Sequence, residues 1–162
     1  MALTGYSRIR RALSSRGRFW LIGAAVLGWC AAAEPLMAQT TIIPGGAEWR
    51  YRVDGFNQGT NWRTAAFNDL AWASGPAPLG FGEDDLATVI ADGAGPTTTY
   101  FRHTFAVADW REFRTLTVRV RRDDGAIVYL NNREIVRANL PAGAVNYLTP
   151  AVTSAVLSEE IQ

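Results

Sequence analysis

The chain contains no lysine, one cysteine and one histidine. The cysteine, Cys30, falls inside an apolar leader, so the region beyond it has no thiol for a disulfide, a metal or a nucleophile. The histidine, His103, stands alone, which excludes zinc sites built from histidine clusters and any Ser-His-Asp triad with another base. Without lysine, arginine carries all the basic charge; this bears on surface composition rather than on a site. Formal charge is +1 overall but unevenly spread. Five arginines (Arg8, Arg10, Arg11, Arg16, Arg18) lie in the first eighteen positions; beyond Ala38, eleven arginines against fourteen acidic residues give −3. A mildly acidic region of this kind has no electrostatic footprint for nucleic acid, and none is expected as a partner. There is no internal repeat and no low-complexity segment.

What is present begins with a leader. Residues 1–38 read as a secretory signal: an arginine-rich start, an apolar stretch from Phe19 to Ala33, then Leu36-Met37-Ala38 as a cleavage position. The apolar stretch is about fifteen residues, short of the roughly twenty that span a bilayer, so no membrane association beyond export is expected. Trp29 precedes Cys30 where a lipoprotein signal needs a small residue. Arg10-Arg11 resembles a twin-arginine pair, but Ala12-Leu13-Ser14 continues that pattern poorly. The expected location is secreted, periplasmic or on the cell surface.

Residues 39–162 form one expected domain, long enough to bury a core without staples. No stretch sustains a long helical period; short alternating runs bounded by Gly, Pro, Asn and Asp predict an all-β sandwich or barrel. Trp49, Tyr51 and Val53 alternate with charged residues. The stretch from Trp62 to Trp72 reads as a short helical turn or coil. Gly75 to Gly82 is too rich in Gly and Pro for a central strand and reads as a wrapped loop tucking Leu79 and Phe81 inward. Thr97 to Val107 reads as a strand with Phe101, His103, Phe105 and Val107 on one apolar face. Thr115 to Arg122 is the clearest alternation, with Leu116, Val118 and Val120 on one side. Asp123-Asp124-Gly125 is turn chemistry. Asn131-Asn132 suits a type I′ hairpin between two further strands.

Several of these segments also occur in order in a known module. Trp49-Arg50-Tyr51, Trp72, Ala77-Pro78-Leu79-Gly80-Phe81-Gly82, Thr98-Thr99-Tyr100-Phe101-Arg102 and the run from Arg122 to Asn132 (RDDGAIVYLNN) resemble the galactose-binding-domain-like jelly roll. A similar strand pair occurs in the sugar-binding domain of β-galactosidase-type glycoside hydrolases. A closer likeness is to the module of large exported proteins from planctomycete-like and verrucomicrobia-like bacteria. The resemblance implies a jelly-roll β-sandwich in an accessory role, next to other domains such as metallophosphoesterase, spore-coat-kinase-like, lamin-tail or sorting domains. Two departures stand out. Asn132 replaces the usual hairpin glycine, and the "G-x-N-x-L-A-V-E" strand that closes such modules is missing. The chain is therefore expected to be the front part, or a fragment, of a longer protein.

Jelly rolls of this class that bind sugars stack them on exposed aromatics and hydrogen-bond the hydroxyls. Trp62, Arg63 and Trp72, in loop-like context, are the ligand-binding candidates; the competing reading packs both tryptophans in the core. Glu83, Asp84 and Asp85 are the metal candidates, with calcium as the cation, against the simpler reading of a solvated acidic turn. Glycosidase chemistry needs two carboxyls facing one sugar, and Asp123-Asp124 points to opposite faces if extended. His103 is expected to be a core or rim histidine and Arg102 a structural ion pair. The expected function is a non-catalytic secreted module, with carbohydrate as candidate ligand. The alternatives are the N-terminal part of an exported hydrolase such as a metallophosphoesterase, and a purely structural spacer.

Overall fold

The computed structural model describes residues 2–7, 40–91, 98–154 and 159–161. The apolar leader stretch from Phe19 to Ala33, Cys30 and the cleavage position at Ala38 lie outside them. The fold is all-β. Among the described residues ten strands appear in chain order: β1 Ala2–Ser7, β2 Glu48–Arg52, β3 Ala73–Pro76, β4 Leu79–Gly80, β5 Thr88–Val89, β6 Thr99–Thr104, β7 Val120–Arg122, β8 Ala126–Leu130, β9 Arg133–Ala138 and β10 Glu159–Ile161. The described helical structure is two single 3₁₀ turns, Asn61–Arg63 and Trp110–Glu112.

Six strands make the main sheet, in the order β3-β2-β6-β1-β8-β9, with every neighbouring pair antiparallel. Two small sheets accompany it, β10-β7 antiparallel and β4-β5 parallel. β1 lies within the segment read as a leader, and it occupies the middle of the main sheet, between β6 and β8.

Local chemistry explains the boundaries. β8 and β9 are joined by the expected two-residue hairpin: Asn131 and Asn132 have φ of 48° and 70°, the left-handed values a type I′ turn demands and asparagine tolerates. Asp124 also takes a positive φ, 57°, in the turn before β8. Gly125 follows it because a side chain there would meet the carbonyl of Asn139 and the Leu140 side chain, both at 3.1 Å. The Gly- and Pro-rich stretch divides rather than forming one wrapped loop. Ala73–Pro76 becomes the outermost strand, where proline's missing N–H is tolerated; Leu79–Gly80 pairs with Thr88–Val89, and Leu79 and Phe81 are half-buried.

Two strand readings change. In β6 the deeply buried side is Tyr100 and Arg102, while Phe101 and His103 are half-buried on the other side. The period is right; the inner face is the one carrying the charge, because Arg102 finds partners there that an apolar neighbour could not supply. The alternating stretch Thr115–Arg122 is a strand only at Val120–Arg122. Thr115–Arg119 belongs to no strand, and Leu116 is 49% exposed. Alternation makes a segment fit for pairing, but a ladder also needs a neighbour in register.

Candidate functional site

The core under β6 and β8 is an aromatic cluster of Trp62, Trp72, Tyr100 and Tyr129, with Ile127 and Leu140. Strand alternation points Tyr100 and Tyr129 inward from the sheet. The 3₁₀ turn at Asn61–Arg63 sets Trp62 over them. Its ring meets Tyr100 edge-on at 4.9 Å and Tyr129 edge-on at 6.0 Å, and lies 6.5 Å from Trp72. Phe67 closes the row, edge-on to Trp72 at 5.7 Å. Such pairs contribute about 0.5–1.5 kcal/mol each beyond area burial. The Trp62 indole N–H, which burial would otherwise orphan, donates to the Gly59 carbonyl at 3.0 Å.

Two arginines bracket this row. Arg102, 1% exposed, donates through Nε to Asp69 at 2.8 Å and through Nη1 to the carbonyls of Trp62 and Thr64. Its guanidinium also lies 5.1 Å from the Phe67 ring. One side chain thus ties the loop from Trp62 to Asp69 onto β6. Arg63, half-buried, lays its guanidinium over Tyr129 at 4.0 Å and lies 5.6 Å from the Trp62 ring. Its carbonyl accepts from the N–H of Asn132 in the β8–β9 hairpin at 3.0 Å. Burial raises the Tyr129 hydroxyl above its ordinary pKa against the opposing pull of Arg63.

The three ligand candidates are therefore neighbours, but not an exposed platform. Trp62 and Trp72 are 2% and 5% exposed, so their ring faces are covered by protein rather than offered to a sugar. Only Arg63 reaches the rim.

The acidic candidates are set against β7. Arg121 pairs with Asp85 at 2.5 Å and with Glu83 at 3.8 Å, and Asp84 is exposed. The hydrogen bond from Arg121 holds the Asp85 carboxyl below its ordinary pKa. Among the described residues, no group of three or more His, Cys, Asp or Glu is arranged to hold a metal ion.

His103 Nδ1 lies 2.8 Å from the Glu48 carbonyl. A carbonyl only accepts, so Nδ1 carries the proton and donates. The ring also rests against Trp49 at 5.1 Å. This is the satisfied rim histidine expected of it.

Sequence reasoning missed Asp69, Phe67 and Asn139. Asp69 is the carboxylate for Arg102, thirty-three positions away, and no short-range pattern marks such a pair. Asn139, with φ of 51°, donates to the carbonyls of Asp124 and Thr153 and accepts from the Thr153 N–H. Its one legible signal was its place after a strand, where asparagine readily takes left-handed values.

The chain matches no model of a known protein family, no curated protein and no solved structure.

Proposed function

We propose that this chain is a non-catalytic, secreted accessory module of jelly-roll type, whose task is to organise or attach neighbouring domains. The observation that carries this reading is where the motif residues go. Trp72, Tyr100 and Tyr129, from three separated segments of the recurring pattern, come together in one buried aromatic cluster, and Arg102 is buried beside it. A pattern spent on a core specifies a scaffold, and function is then grafted at the rim. The burial of Trp62 and Trp72 favours the organising role over a lectin. A carbohydrate ligand would rest on Arg63 and the loops beside it.

The test has two parts, both on the 162-residue chain. A glycan array is expected to show no strong binder. A sugar whose binding is lost in Arg63→Ala would move the reading to a lectin. Phosphoesterase and glycosidase assays, with and without divalent cations, are expected to read as buffer. Metal-dependent hydrolysis by the purified chain would overturn the proposal in favour of an enzyme.

A further inference from the structure

β1 stands between β6 and β8 and pairs antiparallel with both. Leu3 lies opposite His103 on one side and Leu130 on the other; Gly5 lies opposite Phe101 and Val128. β6 and β8 do not neighbour each other in the sheet. Adjacent strands are spaced by about 4.8 Å, so these two stand about 10 Å apart across β1. Without β1 the sheet divides into β3-β2-β6 and β8-β9, with two edges facing each other. That division would fall beside Tyr100, Arg102, Ile127, Val128 and Tyr129, which are among the most buried residues of the molecule. Backbone groups stranded there would need a new partner. The strand that fills the gap suits a central place, since Ala-Leu-Thr-Gly-Tyr-Ser carries neither charge nor proline, the features that mark edge strands.

β1 is also the first stretch of the segment read as an export leader. The arginine-rich start of such a segment stays on the cytoplasmic side while the mature region crosses. Residues 2–7 cannot hold both positions at once.

We propose that β6 and β8 form a two-sided strand-acceptor slot for an extended peptide about six residues long. The chain's own Ala2–Ser7 fills it before processing, and export vacates it. The vacating step rests on the export reading above; the slot itself does not. Its ligand class is an uncharged extended peptide, bound by main-chain hydrogen bonds on both sides and running antiparallel to each wall.

Hydrogen–deuterium exchange on the full chain, with and without Thr4→Pro, tests the slot. Proline removes one ladder donor and does not fit the middle of a sheet. Exchange in β6 and β8 should speed by about tenfold or more, with β2 and β3 unchanged. A synthetic peptide of the sequence Met1 to Ser7, with both ends blocked, should restore the protection. Equal exchange in the two chains, or no effect of the peptide, would overturn the slot. Should the proline chain fail to fold, Leu3→Cys with His103→Cys in a Cys30→Ser background reads the same pairing. Opposed antiparallel Cα atoms lie about 4.5–5.5 Å apart, within disulfide reach. A bridge within one chain supports the proposal; a bridge only between chains, or none, overturns it. Mass spectrometry of the exported protein reads the vacating step separately. An N-terminus at Gln39 supports it, and retention of Ala2 overturns that step and the cleavage of the leader while leaving the slot standing.

Discussion

β6 and Thr115–Arg119 look alike on paper, since the sequence reads both as strand with one apolar face, yet they end in opposite conditions. The first lies in the main sheet, with an arginine that is 1% exposed. The second lies outside every described strand, and Leu116 is 49% and the nearby Trp110 64% exposed. The difference is in what meets them. Asp69 and two carbonyls converge on Arg102, and two strands flank β6. Alternation decides which side chains share a face; neighbours decide whether that face is buried.

The largest effects should come from the buried side of this comparison. Arg102→Met is expected to cost about 3–5 kcal/mol, because it leaves Asp69 and two carbonyls without their shared donor. Urea unfolding measures it; a loss below about 1 kcal/mol would show that water replaces the arginine freely. Trp62→Ala should cost a similar amount, about 3–5 kcal/mol, by opening a cavity amid three aromatic neighbours.

An intermediate effect is expected where the main sheet meets a small one. Gly75 in β3 has no room for a methyl group, since an added Cβ would lie 2.3 Å from Thr88 Oγ1 and 2.7 Å from its Cγ2. That hydroxyl is held by a hydrogen bond to the Pro76 carbonyl. Gly75→Ala should therefore lower stability by about 1–3 kcal/mol, and Thr88→Ser should relieve part of it. In the exposed region, Leu116→Thr and Trp110→Ala should change stability by no more than about 0.5 kcal/mol. A larger loss from either would mean that the region is covered after all.

The smallest effect is electrostatic. Arg137 hydrogen-bonds Glu134 at 2.7 Å and holds its pKa below the ordinary 4.5. A carboxylate depressed in the folded state contributes stability that is present above its unfolded pKa and is lost as pH falls through the lower folded value. Glu134→Gln should flatten that acid limb by about 0.5 kcal/mol or less, because the pair is open to solvent. Asp54 behaves likewise: burial opposes ionisation, but the Phe56 N–H and Arg52 hold its carboxyl low. Thermal melts between pH 7 and about pH 3 measure both, the range following from the ordinary carboxylate values.

Much of the fold was legible because its signals are local. The β8–β9 hairpin is written in Asn131-Asn132, the turn before β8 in Asp123-Asp124-Gly125, and the all-β class in the absence of any sustained helical period. The site was less legible. That Trp62 and Trp72 would pack in the core was one of two readings open from the sequence, and both are buried. That the two indoles would be covered depends on Tyr100, Tyr129 and Phe67 arriving from other segments. The pairing of Glu83 and Asp85 with Arg121 spans more than thirty-five positions and has no sequence signature.

By itself the sequence determined the β8–β9 hairpin, the turn before β8, the lack of a sustained helical period and the scarcity of cysteine and histidine, since each is a property of a residue and its immediate neighbours. Tertiary structure alone decided which face of β6 is the inner one, which alternating run joins a ladder and which strand stands between β6 and β8. Those outcomes depend on partners that are distant along the chain, and burying a charge or an edge is favourable only once such partners are in place.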